Sequence, residues 1–303
     1  MLEGKRALVT GASGFVGSHL ISELLARGAE VTAISRVAQG RARRGVSWIQ
    51  ADLERPGTAE SIVERARPDV VFHLASAVTG RRDVDLVAPT LQVNLVAGVR
   101  LMVAASRRGV ERVVLAGSME EPDLAAGEAP SSPYAAAKAA QSLYARFLHA
   151  VHGLPVVIAR IFMVYGPGQK DLTKLVPYAI LEGIEGRAAR LASCDRPIDW
   201  IFVEDVARGL ATLAGAPGVE GESLDLGSGA SVTVGDIAAR IAAEVGAPAP
   251  LAGCLPPRPL ETVRRADVDR TFERTGFLPT VGLDEGLART IAWYRAERAA
   301  RRA

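Results

Sequence analysis

The chain has little cysteine, no surplus of charge of either sign and no long apolar run. Its two cysteines, Cys194 and Cys254, stand far apart and outside any metal-ligand spacing. Two free thiols in a reducing compartment are therefore expected, with no disulfide framework and no metal site. Lys and Arg number 36 against 34 Asp and Glu, a net charge of +2. That balance argues against a general nucleic-acid or membrane-surface binder. The opening residues, MLEGKRALVTG, contain no apolar signal core, and no 18-residue apolar run follows, so a cytoplasmic protein is expected. No internal repeat or low-complexity segment stands out. What is present is 49% hydrophobic residues over 303 positions, enough to bury a large core without a metal or disulfide staple. This length fits one large α/β unit or two fused units.

Short β-branched runs alternate with longer helical stretches, the pattern of a parallel sheet with helices on both faces. The expected fold class is α/β: a doubly wound, Rossmann-type parallel sheet with a smaller mixed C-terminal region. Candidate strands are Arg6–Thr10, Glu30–Ser35, Ser47–Gln50, Val70–Leu74, Arg112–Ala116 and Val156–Ile161. Their apolar runs are nearly continuous, as strands covered on both faces require. Candidate helices are Gly14–Arg27, Thr58–Arg67, a long one near Leu91–Arg108, and Pro133–Val151. After about Tyr165, Gly and Pro become frequent and short strands such as Ser223–Leu226 are scattered among helices. Residues 1–160, with returning segments from the C-terminal half, are expected to form the dinucleotide-binding domain and 161–303 the substrate-binding domain. The Arg-rich stretch Arg41–Arg44 reads as a solvated loop.

The first strand runs into Thr10-Gly11-Ala12-Ser13-Gly14-Phe15-Val16-Gly17, and a helix follows. Strand, glycine turn and helix N-terminus together make an anion site, because glycines let the backbone approach a pyrophosphate and the helix dipole favours its charge. The spacing Gly11, Gly14, Gly17 differs from the standard G-x-G-x-x-G; its position after the first strand carries the reading. The second strand ends Ala33-Ile34-Ser35-Arg36, where a ribose-binding acid is usual. A carboxylate would repel a 2′-phosphate, whereas Ser35 and Arg36 would hold one, so NADP is expected, with NAD as the alternative. Asp52, in Ala51-Asp52-Leu53, is placed to accept from an adenine amine or to serve as a plain turn residue.

Tyr134 and Lys138 lie four apart on a predicted helix and share a face. Ser131, Ser132 and Pro133 open that helix with cap chemistry. Ser118 ends a buried strand 16 residues upstream of Tyr134. A phenol ordinarily titrates near pH ~10. A lysine cation and a nicotinamide cation would bring it into useful range for proton transfer. Ser118 would hydrogen-bond the reacting oxygen, and Lys138 would also hold the nicotinamide ribose.

With these residues the chain resembles the extended short-chain dehydrogenase/reductase family, in its nucleotide-sugar epimerase, dehydratase and ketoreductase branch. The resemblance runs through Gly11–Gly17, Asp52-Leu53, His73-Leu74-Ala75, Asn94, Ser118, Tyr134-x-x-x-Lys138 and Ile161-Phe162-Met163-Val164-Tyr165-Gly166-Pro167-Gly168. It continues through Lys174-Leu175-Val176-Pro177, Asp199-Trp200-Ile201-Phe202-Val203-Glu204-Asp205, Asp225-Leu226-Gly227-Ser228-Gly229 and Arg258-Pro259. It implies cofactor contacts from Gly11, Ser13, Gly14, Phe15, Val16, Gly17, Ser35, Arg36, Asp52, Leu53, Leu74, Ala75, Ser76, Asn94, Tyr134, Lys138 and Ile161. It implies a nucleoside-diphosphate-sugar pocket from Ser76, Ser118, Met119, Glu120, Met163, Lys174, Val176, Arg196 and Arg258. It also implies a homodimer in which the helices near Leu91–Arg108 and Pro133–Val151 pair. Neither nucleic acid nor membrane is an expected partner.

Three departures from the family pattern matter. Met163 stands where an Asn contacts the substrate diphosphate. Ile198 stands where an Arg is frequent, although Arg196 lies two residues earlier, and Arg258 matches a diphosphate-binding arginine. Met119 and Glu120 stand where 4,6-dehydratases carry an acidic pair, and a thioether cannot protonate a leaving hydroxyl. The expected activity is therefore an NADPH-dependent reductase of a keto-sugar nucleotide, of the 4-keto-6-deoxyhexose type, with Tyr134 as general acid. The alternatives are an NAD-dependent nucleotide-sugar 4-epimerase using the same triad and, from another class, a non-catalytic dinucleotide sensor.

Overall fold

Five- and six-residue runs of valine, leucine, isoleucine and alanine, bounded by glycines and helix caps, are too short for helices and too apolar for solvent. The computed structural model describes residues 2–39, 44–255 and 263–302. In chain order the elements are β1 (Arg6–Thr10), α1 (Phe15–Ala26), β2 (Glu30–Ser35), β3 (Val46–Gln50), α2 (Thr58–Ala66), β4 (Val70–His73), α3 (Val87–Leu91), α4 (Ala97–Arg108), β5 (Arg112–Ser118) and α5 (Pro133–His152). They continue with β6 (Val156–Ile161), β7 (Met163–Tyr165), α6 (Leu175–Ile184), β8 (Pro197–Phe202), α7 (Val203–Gly215), β9 (Ser223–Leu226), β10 (Ser231–Thr233), α8 (Val234–Val245), α9 (Val268–Thr275) and α10 (Leu283–Arg302). The chain forms two units: Met1–Ile161 with Ala207–Asp225 and Asp269–Phe277, and Phe162–Val206 with Leu226–Val268 and Leu278–Ala303.

The first unit is built on a seven-stranded sheet in the order β3-β2-β1-β4-β5-β6-β9. Every pairing from β3 to β6 is parallel. The strand order reverses between β1 and β4, whose register pairs Thr10 with His73. Loops leaving the carboxyl ends of two such strands diverge to opposite faces and leave a crevice, the place where open α/β sheets bind ligands. Leu8, Val71, Leu115 and Ile158 are fully buried along the sheet and form its core with Leu101 and Met102 of α4.

A continuous helix, Val84–Arg108, joins a 3-10 turn, α3, a π-turn at Gln92–Val96 and α4. Among the described residues it is the one helix long and apolar enough, by length and composition, to cross a bilayer, and a third of its most apolar stretch is buried. Gln92, Asn94 and Arg100 interrupt its apolar sequence. Its inward residues Ala97, Gly98, Leu101, Met102, Ala104 and Ala105 are buried. The widened π-turn turns Asn94 inward, where it is fully buried.

The second unit carries a three-stranded sheet, β10-β8-β7, with β8 antiparallel to β10 and parallel to β7. Ile180, Ile198, Phe202, Ile237 and Ile291 form its core. Two buried carboxylates hold its turns. Asp199 accepts from the backbone N–H groups of Ser228, Gly229 and Ala266 and from the Ser228 hydroxyl. Asp205 accepts from the N–H groups of Thr280 and Val281. Buried carboxylates with several donors each carry no desolvation debt.

Candidate active site

The glycine turn lies at the reversal of strand order. Gly11 sits at φ +66°, and a Cβ there would stand 2.7 Å from the Leu74 carbonyl carbon and 2.8 Å from Ala75 N. Only glycine lets the loops after β1 and β4 approach this closely. A Cβ at Gly17 would stand 2.2 Å from Gly11 O, so Gly17 allows α1 to start against the turn. Gly14 is the N-cap of α1 and is exposed, with no side-chain cap and no acidic residue in the first turn. Such a helix start offers unpartnered N–H groups and positive dipole charge to an anion, which fits a dinucleotide pyrophosphate. Phe15 and Val16, half-buried, begin that helix.

Ser35 ends β2. Its hydroxyl lies 3.3 Å from that of Ser13 and accepts from Val37 N and Gln39 Nε2. Arg36 is mostly exposed and lies 3.8 Å from Glu54. Asp52 accepts from Glu54 N through Oδ1, which makes a local turn, and Leu53 is buried beside it. Asn94 uses its whole amide on the loop after β4. Its Oδ1 accepts from Ser76 Oγ and Ala77 N, and its Nδ2 donates to Ala77 O. The amide thus shapes the loop that contains Leu74, Ala75 and Ser76.

β5 runs two residues beyond its expected end, to Ser118, and is buried throughout. Ser118 pairs in register with Ile161 of β6, and Met119 N donates to Ile161 O. The Ser118 hydroxyl accepts from Glu120 N at 3.1 Å, while Ser118 N donates to the buried Glu121 carboxylate at 2.7 Å. α5 starts at a capped turn in which Ser132 Oγ accepts from Ala135 N, and Pro133 occupies the first helical position. One turn of helix then brings Tyr134 and Lys138 to the same buried face. Lys138 Nζ donates to Ala116 O at 2.7 Å and lies 3.5 Å from Gln141 Oε1.

The Ser118 hydroxyl acts on the Tyr134 phenol, and Lys138, on the same buried face of α5, reaches the β5 carbonyl two residues before Ser118. Burial pushes the phenol well above its ordinary value; the Ser118 bond pulls it back, and the Glu120 and Glu121 charges push it further up. Burial takes Lys138 down to about 8, against the opposing charge of Glu121. The chain by itself thus raises the Tyr134 phenol, and the lowering expected from Lys138 and a nicotinamide cation would have to overcome that burial. The physical reason is that desolvation outweighs every nearby charge the chain supplies.

In the second unit, Met163 opens β7 and packs on the core. Val176 is buried in that same core, so a ligand can meet only its main chain. Lys174 is the N-cap of α6, and Arg196 precedes β8 and is half-buried. Arg258 and Pro259 lie outside the described residues, as do Arg41 and Arg43 of the expected basic loop.

Comparison with known proteins decides the family. Residues 7–227 match the model of the NAD dependent epimerase/dehydratase family. The chain belongs to that family. It is an enzyme of the extended short-chain dehydrogenase/reductase type. The dTDP-glucose 4,6-dehydratase of Actinoplanes sp. is 31% identical, over 97% of this chain and 98% of that one. The UDP-glucose 4-epimerase of Mycolicibacterium smegmatis is 32% identical, over 96% and 98%. The crystal structure of Thermus thermophilus UDP-glucose 4-epimerase in complex with NAD superposes with a TM-score of 0.84 at 29% identity, covering 96% and 99%.

The structure also gathers polar residues around this epimerase-family triad that the sequence reading did not assign to the site. Glu121, Gln141, His73 and Thr10 are all buried near it. Gln141 follows Lys138 by three, a spacing that puts both on one helix face and that was visible in the sequence. Thr10 and His73 meet only through the register of β1 and β4.

Proposed function

We propose that the enzyme is an NADPH-dependent reductase of a keto-sugar nucleotide, acting at a ketone of a 4-keto-6-deoxyhexose type of sugar. The observation that carries this reading is Tyr134: buried, acted on by the Ser118 hydroxyl, and with its phenol raised by that burial. A protonated phenol is the state that carbonyl reduction starts from, since the oxygen must gain a proton as the carbon gains a hydride. The dinucleotide, when bound, supplies that hydride. Ser118 Oγ would donate to the substrate oxygen and Tyr134 would pass it a proton. Lys138 would hold the cofactor ribose and keep positive charge beside the phenol. Met119, buried and without an ionisable group, stands directly after Ser118 where 4,6-dehydratases by resemblance carry the first acid of a pair, and the buried Glu121 is engaged by Ser118 N, which disfavours dehydration.

NADPH is favoured over NADH by the carboxyl end of β2, where Ser35 and Arg36, with Ser13 beside Ser35, stand in place of a carboxylate. Arg36 meets Glu54 only at 3.8 Å and mostly in solvent. Such a pair is worth roughly 0–1 kcal/mol, less than a charge-assisted contact to phosphate at about 1.5–3 kcal/mol. The adenine and ribose would lie against Asp52, Leu53 and the Leu74–Ser76 loop. Lys174, Arg196 and Arg258 would take the diphosphate of the sugar nucleotide.

A second reading, a nucleotide-sugar 4-epimerase with resident NAD, is favoured by the relative from M. smegmatis and the NAD-containing Thermus structure. The cofactor released from the purified protein separates the two. An empty protein that binds NADPH and reduces a 4-keto-6-deoxy sugar nucleotide supports the reductase. Tightly held NAD with interconversion of 4-epimers supports the epimerase and sinks the first reading.

The family dimer would cover an apolar face that is exposed here. Leu143, Tyr144, Phe147 and Val151 of α5 and Val87 and Leu91 of α3 are about half or more exposed. A patch of this kind marks an interaction surface, and a second copy in a cytoplasmic homodimer fits it. Light scattering tests this: a monomer at micromolar concentration would remove it.

A further inference from the structure

Lys138 ends in a buried polar path that extends beyond the Tyr134–Lys138 pair. Its ammonium is 2% exposed and bonds to Ala116 O, with Gln141 Oε1 at the edge of bonding distance. The other end of the Gln141 amide, Nε2, is buried without a hydrogen-bond partner, and so is His73 Nε2. A Cβ at Gly98 would stand 1.9 Å from Gln141 Nε2 and 2.8 Å from His73 Nε2. The two nitrogens therefore share one small space over Gly98. On its far side, His73 Nδ1 lies 2.8 Å from Thr10 Oγ1, which also accepts from Ala75 N.

Charge fixes the direction of every bond in this path. An ammonium only donates, so the Gln141 amide must turn its oxygen to Lys138, because the opposite flip sets NH2 against NH3+. That leaves the amide N–H groups pointing at His73. A neutral imidazole would satisfy them only with a bare Nε2, which would put its single proton on Nδ1, facing Thr10 Oγ1. Burial and the Lys138 charge hold His73 neutral, with its pKa brought down to about 3. The charged groups bearing on Lys138 are Glu121, which favours its cation, and His73, which would repel it if protonated.

We propose that Gln141 and His73 are positioning residues for Lys138: the two unpaired nitrogens over Gly98 are a donor and an acceptor whose pairing would complete a directed path from the ammonium through Gln141 and His73 to Thr10. That pairing would tie the lysine to the residue that precedes Gly11 and so hold the lysine and the phosphate turn as one piece. A side chain at Gly98 would fill the space in which Gln141 Nε2 and His73 Nε2 face each other. This inference rests on the reading of Lys138 as the group that holds the cofactor ribose.

The test uses the full-length protein and needs no sugar substrate. Nitrogen-15 NMR of the imidazoles distinguishes the two neutral tautomers. The chain has four histidines, and His73 is assigned by the signal lost in His73→Gln. The expected result is a neutral His73 with its proton on Nδ1 at every point between about pH 5 and 9. A proton on Nε2, or titration near the ordinary value, overturns the path whatever the enzyme's substrate proves to be.

The functional arm measures NADPH binding by protein fluorescence against pH. Gln141→Leu removes the oxygen that faces the ammonium. NADPH affinity should fall by about tenfold, and the loss of binding on the alkaline side should begin about one pH unit earlier, the scale of one bond to a charged group. Gln141→Glu should restore affinity and move that limb to higher pH. Gly98→Ala should reproduce the Gln141→Leu profile, with a cooperative melt showing that it still folds. If Gln141→Leu binds NADPH as the parent does and with the same pH limb, the positioning role is wrong. If Lys138→Met also binds NADPH like the parent while the tautomer is as expected, the path stands as structure and the cofactor reading of Lys138 has failed.

Discussion

The two units treat polar side chains in opposite ways. In the first, three ionisable side chains, His73, Glu121 and Lys138, are buried around the triad with one or two bonds each: His73 to the Thr10 hydroxyl, Glu121 to Ser118 N and Lys138 to Ala116 O, with Gln141 at the edge of bonding distance. In the second, the buried carboxylates Asp199 and Asp205 are saturated by backbone N–H groups, and two candidate substrate residues, Met163 and Val176, pack on the core. The first unit keeps several buried ionisable groups with few bonds, besides loop-holding groups such as Asn94; the buried carboxylates of the second hold loops. Chemistry needs a few residues at fixed spacing on rigid elements. If the second unit binds the sugar nucleotide as proposed, charge near the diphosphate would have to make up for Met163 and Ile198, which depart from the polar residues that the family resemblance implies.

The largest effect that would break this contrast belongs to the first unit. Tyr134→Phe should lower kcat by at least about a hundredfold, the usual scale for general acid–base catalysis, with cofactor affinity nearly unchanged. Near-normal single-turnover rates would remove Tyr134 from the chemistry. Next comes Arg36→Ala, which should weaken NADPH binding by roughly tenfold to a hundredfold and NADH binding far less. Equal losses for the two cofactors, read by titration calorimetry, would show that Arg36 does not meet the 2′-phosphate.

In the second unit, Arg258→Lys should raise KM for a sugar nucleotide by about threefold to tenfold, since an ammonium cannot hold two phosphate oxygens as a guanidinium does. Arg258→Ala should raise it further, and cofactor binding should stay intact in both. A KM that ignores both variants, or a preference for a ketone without phosphate, would recast Met163 and Ile198 as the wall of an apolar pocket. The smallest effect sharpens the contrast. Val176→Ala should cost about 0.8 kcal/mol per methylene removed from the core, measured by urea unfolding, with KM unchanged. A change in KM at constant stability would return the Val176 side chain to the binding site.

Much of the first unit was legible because its signals are local. The glycine turn, the Ser132-Pro133 helix start and the Tyr134–Lys138 spacing each lie within one or two turns of chain. The strands were readable as apolar runs, although β5 extends two residues further, to Ser118, because β6 continues to pair with it. Less was legible where a residue's role depends on its neighbours. Asn94 reads as a cofactor contact, and only the structure shows that a π-turn sets its amide on the loop at Ser76 and Ala77. Val176 reads as a pocket residue, yet it is buried in the core with α8 and α10.

The sequence by itself determined the fold class, through its alternation of apolar runs and helices, and the family, through the resemblance of its motifs, and it marked the glycine turn and the Ser118, Tyr134 and Lys138 set as candidates. Only the tertiary structure shows how strongly burial raises the Tyr134 phenol, because desolvation is a property of the packed core and not of the spacing; the lowering expected from Lys138 and a nicotinamide cation has to act against it. Only the parallel register of β1 and β4 brings Thr10 to His73, and only the missing side chain at Gly98 leaves His73 and Gln141 a common space. Those contacts join residues from four separate elements, and no local pattern in the chain encodes them.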